Sequence, residues 1–214
     1  MILYHFPTSP FARRVRLVLA HKGLDAELRD ARAETAHMAE VTRLHPLGTV
    51  PVLVDGQRVV CDSAAICRYV DHCKPSPAIF SEGLDGVLET ELVALADRVI
   101  TTLVDLALRY EPLTRDPGFE AVRAEHVKGK AQRALDRIAE TATARAAPGT
   151  PLFGGRWSFA DITCVTLSLW LEGLPARAVT FPLAKRMLDL GWTLPPALAA
   201  WAAPFRARPD VAGL

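Results

Sequence analysis

The chain is poor in the residues that announce metal or disulfide chemistry. Its four cysteines, Cys61, Cys67, Cys73 and Cys164, form no CxxC pair, and the spacing of the first three matches no zinc pattern. They read as small buried residues of a reducing, cytoplasmic compartment. The six histidines are scattered, without an HExxH or comparable cluster, so no metal is expected. Charge of one sign is missing as well. Lys and Arg number 25 and Asp and Glu 24, a net +1, which removes the electrostatic case for nucleic acid or an anionic membrane. Long apolar runs are absent: the most apolar stretch, Ile162–Leu174, is broken by Thr163, Thr166, Ser168 and Glu172, too short and too polar to span a bilayer. No basic segment leads into an apolar run and cleavage site, so no signal peptide is expected. Repeats and low-complexity tracts are lacking too. What remains is a 214-residue chain of ordinary globular composition, half of it hydrophobic. That length suits one large domain or two small ones.

Strand and helix signals alternate in the first third. Ile2–Phe6 is a strand candidate. Pro10–Lys22 carries Phe11, Val15, Val18 and Leu19 at helical spacing, and Gly23 is a natural C-terminal cap. A short strand fits Asp25–Asp30, and the polar stretch Ala31–Leu44 has no clear assignment. VPVLVDGQRVVCD reads as a hairpin, two β-branched runs around Asp55-Gly56. Ser63–His72 is a helix with Asp62 or Ser63 as N-cap. Lys74–Pro77 reads as a linker, with two prolines in four residues. Beyond about Asp85 strand signals vanish: helices are expected over Val87–Tyr110, Phe119–Ala146 and Ser158–Leu171, with a short last one in Pro195–Arg208.

Three places in the first third carry chemistry. SPFARRVRLVLAHKG puts Ser9 at a strand-to-helix turn, where a thiol enzyme would hold cysteine. A hydroxyl there can donate a hydrogen bond to an anion. If the anion is a thiolate, that donor and the helix terminus together lower the thiol pKa from about 8.5 by roughly one to two units. Arg13, Arg14 and Arg16 lie early in the same helix, against the dipole, which a nearby anion would relieve; the alternative is a solvated basic face. In Thr49-Val50-Pro51 a proline opens a strand. Either the Val50–Pro51 bond is cis, leaving the Val50 backbone free to hold an extended peptide, or Pro51 is trans at the first position of an edge strand. Asp62-Ser63, between strand and helix, would hold an amino-acid head group, Asp62 taking the ammonium and Ser63 with the helix amides the carboxylate; simple N-capping is the alternative.

Taken in order, SPFARRVRLVLAHKG, HPLGTVPVLVDG, CDSAAICRYVD and FGGRWSFADITCV resemble the cytosolic-type glutathione S-transferase family over nearly the whole chain. The resemblance implies a thioredoxin-like α/β domain at 1–76 and an all-helical domain at 84–214. It implies glutathione as co-substrate, with Ser9 donating to its sulfur. The turn's aromatic residue, Phe11, lies beside it, the Val50 backbone pairs with the cysteinyl unit, Pro51 is cis, and Asp62 and Ser63 hold the γ-glutamyl end. A hydrophobic electrophile would sit against the helical domain, with Arg109, Tyr110 and Trp170 as candidates, and the assembly would be a homodimer. Ser158 and Asp161 read as a structural capping box. SPFA resembles the CPFA and CPYC turns of thiol enzymes with both sulfurs removed, which favours conjugation over disulfide exchange. Thr8 is the fallback hydroxyl, and Tyr4 falls inside the strand. The departures are His45, where the family usually has Asn, and Thr49, where Lys or Gln is common. His37 or an arginine would then have to meet the glycyl carboxylate. The same scaffold would also suit a glutathione-dependent isomerase, dehalogenase or peroxidase, or a non-catalytic protein-binding module.

Overall fold

The computed structural model describes residues 1–109 and 117–212. The chain divides into two compact units: Met1–Ser81 together with the segment from Ala207 onward, and Glu82–Arg206.

The first unit runs β1 (Ile2–His5), α1 (Pro10–His21), β2 (Glu27–Asp30), α2 (Thr35–Leu44), β3 (Val52–Asp55), β4 (Arg58–Cys61) and α3 (Ser63–Cys73). Its four strands form one mixed sheet in the order β2-β1-β3-β4, with β1 parallel to β2 and antiparallel to β3. This is the thioredoxin-like arrangement expected from the sequence. Alternation along the strands divides the core in two. Tyr4 and Val52 face a cluster with Ala31 and Val41, to which Met38 and Leu44 add, so α2 covers that side. Leu3 and Leu53, both fully buried, point to the other side, where α1 and α3 pack. The Tyr4 hydroxyl accepts from Arg29 Nη1 at 2.9 Å, so Tyr4 is a core residue.

Local chemistry sets the ends of these elements. Gly23 (φ +59°) closes α1: its N–H reaches the Ala20 carbonyl and the Leu24 N–H that of Leu19, the paired bonds of a left-handed helix stop. Gly56 (φ +59°) turns the hairpin. The polar stretch left unassigned in the sequence is mostly α2, whose one fully buried residue is Val41. So thin an apolar stripe leaves little periodicity to read.

The second unit is helical: α4 (Gly83–Arg109), α5 (Pro117–Arg145), α6 (Phe159–Glu172), α7 (Leu174–Ala178), α8 (Pro182–Asp189) and α9 (Pro196–Ala202). Helix α4 packs on α5, α6 and α8, and α9 packs on α5 and α6. The capping box forms as the sequence predicts. The Asp161 N–H donates to Ser158 Oγ at 3.1 Å, and the Ser158 N–H donates to Asp161 Oδ2 at 2.8 Å. Asp161 Oδ1 also accepts from the Leu152 N–H, and burial pushes its carboxyl up despite these bonds. A 3-10 turn, Ala203–Ala207, leads to α10 (Pro209–Ala212), which lies against α1 in the first unit. The one short helix expected over Pro195–Arg208 is therefore α9 plus this turn, and α7 and α8 were not foreseen. No helix among the described residues is long and apolar enough to cross a membrane.

Candidate active site

Strand register brings the candidate residues to one end of the sheet. Tyr4 pairs with Val52, and Val52 pairs with Cys61. Beyond that row β1 continues into the loop that carries Ser9, β3 is entered from Val50-Pro51, and β4 continues into Asp62-Ser63. Three segments far apart in sequence thus leave the same edge because β1 and β3, and β3 and β4, are antiparallel. The parallel neighbour β2 delivers Arg32 to this end as well.

Ser9 is the N-cap of α1. Its Oγ accepts from the Ala12 N–H at 3.3 Å, and Pro10 fills the first helical position, where a missing N–H costs nothing. A hydroxyl that accepts from the helix keeps its own proton to donate. The loop before it is pinned from two sides. Arg16 Nη2 donates to the Pro7 carbonyl at 2.9 Å, and Arg32 Nη1 donates to Thr8 Oγ1 at 3.1 Å while its guanidinium lies 4.2 Å from the centre of the Phe6 ring. The Val50–Pro51 bond is cis, which selects between the two arrangements the sequence allowed.

Asp62 is the N-cap of α3. Its Oδ1 accepts from the amides of Ala64 and Ala65 at 2.9 and 3.0 Å, and its carbonyl takes the Ile66 N–H. The Ser63 N–H stays at the mouth of the helix. Asp62 has φ +72° and ψ 131°, and among the described residues no other non-glycine has positive φ. That conformation costs about 1–3 kcal/mol and persists where the surroundings impose it, most often at functional sites. Ser63 is buried, and its Oγ accepts from Arg14 Nε at 3.0 Å and Nη2 at 2.6 Å. Arg14 is only 1 % exposed, so it leaves the solvated basic face the sequence allowed. The Phe11 ring lies 5.2 Å from its guanidinium carbon.

The two departures noted in the sequence interact with each other. His45 is buried; its Nδ1 accepts from the Leu47 N–H at 2.9 Å, and its Nε2 faces Thr49 Oγ1 at 3.4 Å. An Nδ1 that accepts carries no proton, so the ring proton belongs on Nε2, toward Thr49. The pair braces the loop that ends at Val50. His37, offered as a partner for the glycyl carboxylate, sets Nδ1 3.0 Å from the Asp30 carbonyl.

The candidates of the helical unit fare differently. The Arg109 side chain and Tyr110 lie outside the described residues. Trp170 is 4 % exposed on α6, with the Arg177 guanidinium 5.8 Å from its ring centre. Its ring is therefore packed within the unit. Among the described residues no three His, Cys, Asp or Glu side chains gather as a metal site requires.

The model of the family described as "Glutathione S-transferase, N-terminal domain" matches residues 3–78. Glutathione S-transferase 1 of Dianthus caryophyllus is 34% identical over 88% of this chain and 86% of its own. The chain belongs to the glutathione S-transferase family. Glutathione S-transferase Z1 of Arabidopsis thaliana is 39% identical over a shorter alignment, 38% of each chain. Among solved structures, a glutathione S-transferase of Methylobacterium radiotolerans in complex with glutathione sulfonate superposes with a TM-score of 0.72. It is 25% identical and covers 99% of this chain and 92% of its own.

Proposed function

We propose that this glutathione transferase binds glutathione along the sheet end described above and activates its thiol with Ser9. The observation that carries the reading is the Tyr4–Val52–Cys61 row, beyond which Ser9, Val50-Pro51 and Asp62-Ser63 all emerge. Asp62 Oδ2, not used by the cap, takes the γ-glutamyl ammonium. The Ser63 hydroxyl and N–H take the γ-glutamyl carboxylate at the positive end of α3. The Val50 backbone pairs with the cysteinyl unit, as an added strand would. Phe11 flanks the peptide, and the Ser9 hydroxyl donates to the sulfur. Thiolate then attacks an electrophilic carbon of a hydrophobic small molecule. A sulfur–carbon bond forms, the thiol proton passes to solvent, and the electron pair leaves with a departing group or moves onto the acceptor. Positioning and stabilisation of the anion supply the catalysis.

Two substitutions at Asp62 test the reading by calorimetry with reduced glutathione. Asp62→Asn keeps an acceptor for the cap amides and removes the charge that meets the ammonium. Losing a charge-assisted bond of about 1.5–3 kcal/mol weakens binding roughly 10- to 150-fold. Asp62→Gly removes both charge and cap, yet relieves the positive φ. The cap is worth only a few tenths of a kcal/mol against glycine, so this variant melts at or above the wild type while failing to bind. Wild-type affinity in Asp62→Asn would remove Asp62 from the site, and no binding by the wild type would end the reading altogether.

The His45 brace gives a separate expectation. Asparagine at this place can accept the Leu47 N–H as an Asx turn does. His45→Asn should therefore hold glutathione within about twofold of wild type, whereas His45→Ala frees the Val50 loop and weakens binding several-fold, the scale of one neutral hydrogen bond. Equal affinities for all three proteins would show that the brace does not reach Val50.

A further inference from the structure

The Arg14–Ser63 contact has a chemical consequence. A serine oxygen offers two lone pairs and one proton, while a guanidinium only donates. Arg14 Nε and Nη2 both point at Ser63 Oγ, at 3.0 and 2.6 Å, and as two donors on one edge of the guanidinium they take one side of the oxygen as acceptor. The hydroxyl hydrogen is then left to point away from Arg14. Water does not compete for this contact, since Arg14 is 1 % and Ser63 2 % exposed.

We propose that Arg14 is a positioning residue for the glutathione γ-glutamyl carboxylate: it holds one side of Ser63 Oγ as an acceptor and so turns the hydroxyl hydrogen away from itself, as a donor toward the ligand. The inference rests on the glutathione reading above and deepens it. Without Arg14 the hydroxyl rotates freely and can accept as well as donate, so it could meet an ammonium as readily as a carboxylate. With Arg14 the hydrogen is turned outward, and the guanidinium charge beside the oxygen favours a carboxylate over an ammonium. Division of labour at the mouth of α3 follows. Asp62, an acceptor, takes the ammonium, and Ser63, made a donor, takes the carboxylate. The amino-acid end of the ligand is thereby read in one orientation. Arg14 also belongs to α1, the helix capped by Ser9, so the carboxylate site and the thiol site share one element.

The test compares glutathione with 4-aminobutyryl-Cys-Gly, which lacks only the γ-glutamyl α-carboxylate. Binding of both is measured on the wild type, Arg14→Met, Arg14→Lys, Ser63→Ala and the Arg14→Met/Ser63→Ala double variant. Arg14→Met is expected to weaken glutathione about tenfold or more, the scale of a bond to a charged group, and to leave the truncated peptide within about twofold. In the Ser63→Ala background Arg14→Met should cost glutathione nothing further. Arg14→Lys still donates to Ser63 and should fall between, and it carries the comparison if Arg14→Met does not fold. A loss that is equal for the two ligands, or that adds in full to the Ser63→Ala loss, would overturn the proposal and leave Arg14 as a packing residue. Failure of the wild type to bind either peptide would instead bring down the glutathione reading, and this inference with it.

Discussion

Ser9→Ala should slow conjugation of glutathione to an electrophile such as a chloronitrobenzene by about 10- to 100-fold near pH 6.5, with the deficit closing as pH approaches 9. The size follows from the chemistry of the thiol. Free glutathione ionises with a pKa near 8.5, so at pH 6.5 only about one molecule in a hundred is thiolate. A donor that lowers this pKa by one to two units raises the thiolate fraction by up to the same powers of ten. Above the free pKa the thiolate forms unaided, and the advantage disappears. The pH profile therefore separates loss of a donor from general damage, which would slow the reaction equally at all pH. Damage is expected to be modest, because removing the cap bond from Ala12 costs about 1 kcal/mol. Thr8→Ala is the companion measurement. Thr8 already accepts from Arg32, and its loss should matter little. If both alanine variants keep the wild-type rate at pH 6.5, neither hydroxyl activates the thiol and the mechanism is wrong. Ser9→Cys should change the chemistry instead. The new thiolate attacks glutathione disulfide, a mixed disulfide forms, and glutathione thiolate leaves.

Much of this site was legible because its signals are local. Pro10 and Gly23 mark the two ends of α1, Asp55-Gly56 marks the hairpin, and Ser158 with Asp161 marks the start of α6. Each works through bonds spanning a few residues, so a single sequence suffices. The cis Val50–Pro51 bond was half legible, since the residues allowed two backbone solutions and tertiary packing chose one. Arg14 and Lys22 were not legible. A sequence pattern scores both as solvated cations, yet both are buried, and their partners lie 49 residues away. Only a folded chain brings Ser63 and Asp71 to them. The cis Ser76–Pro77 bond likewise sits in a stretch that read simply as a linker. Trp170 shows where such a signal stops: an aromatic in the right region suggests a ligand wall, while α6 buries nearly every residue along its length, Trp170 included.

Lys22→Met should be the most destabilising single substitution considered, at about 3–5 kcal/mol, the usual loss when one partner of a buried ion pair is removed. For a chain of this size that lowers the melting temperature by roughly 6–20 °C. The Lys22 side chain is fully buried. Its Nζ donates to Asp71 Oδ1 and to the carbonyls of Lys74 and Pro77, the Lys74 bond at 2.9 Å, with the Pro75 carbonyl at 3.5 Å. One ammonium thus satisfies the backbone of the 74–77 segment, and methionine, of similar length, would leave those carbonyls and the Asp71 carboxylate without it. Lys22→Arg should rescue poorly, because a planar fork cannot aim at acceptors converging on a single point. In contrast, Lys22→Met combined with Asp71→Leu should recover part of the loss, since an apolar pair avoids a stranded carboxylate. The position also separates stability from binding. Lys22 and Asp71 have the same sequence separation as Arg14 and Ser63, so α1 and α3 run parallel and are clasped twice, near their starts by Arg14 and near their ends by Lys22. Ser9, Asp62 and Ser63 all lie at the starts. Lys22→Met should therefore lower the melting temperature while the protein, kept well below its melting point, still binds glutathione within about twofold of wild type. A melt within 2 °C of wild type would mean that the 74–77 carbonyls find water as readily as lysine. A large loss of affinity in the folded variant would mean that the two clasps act as one.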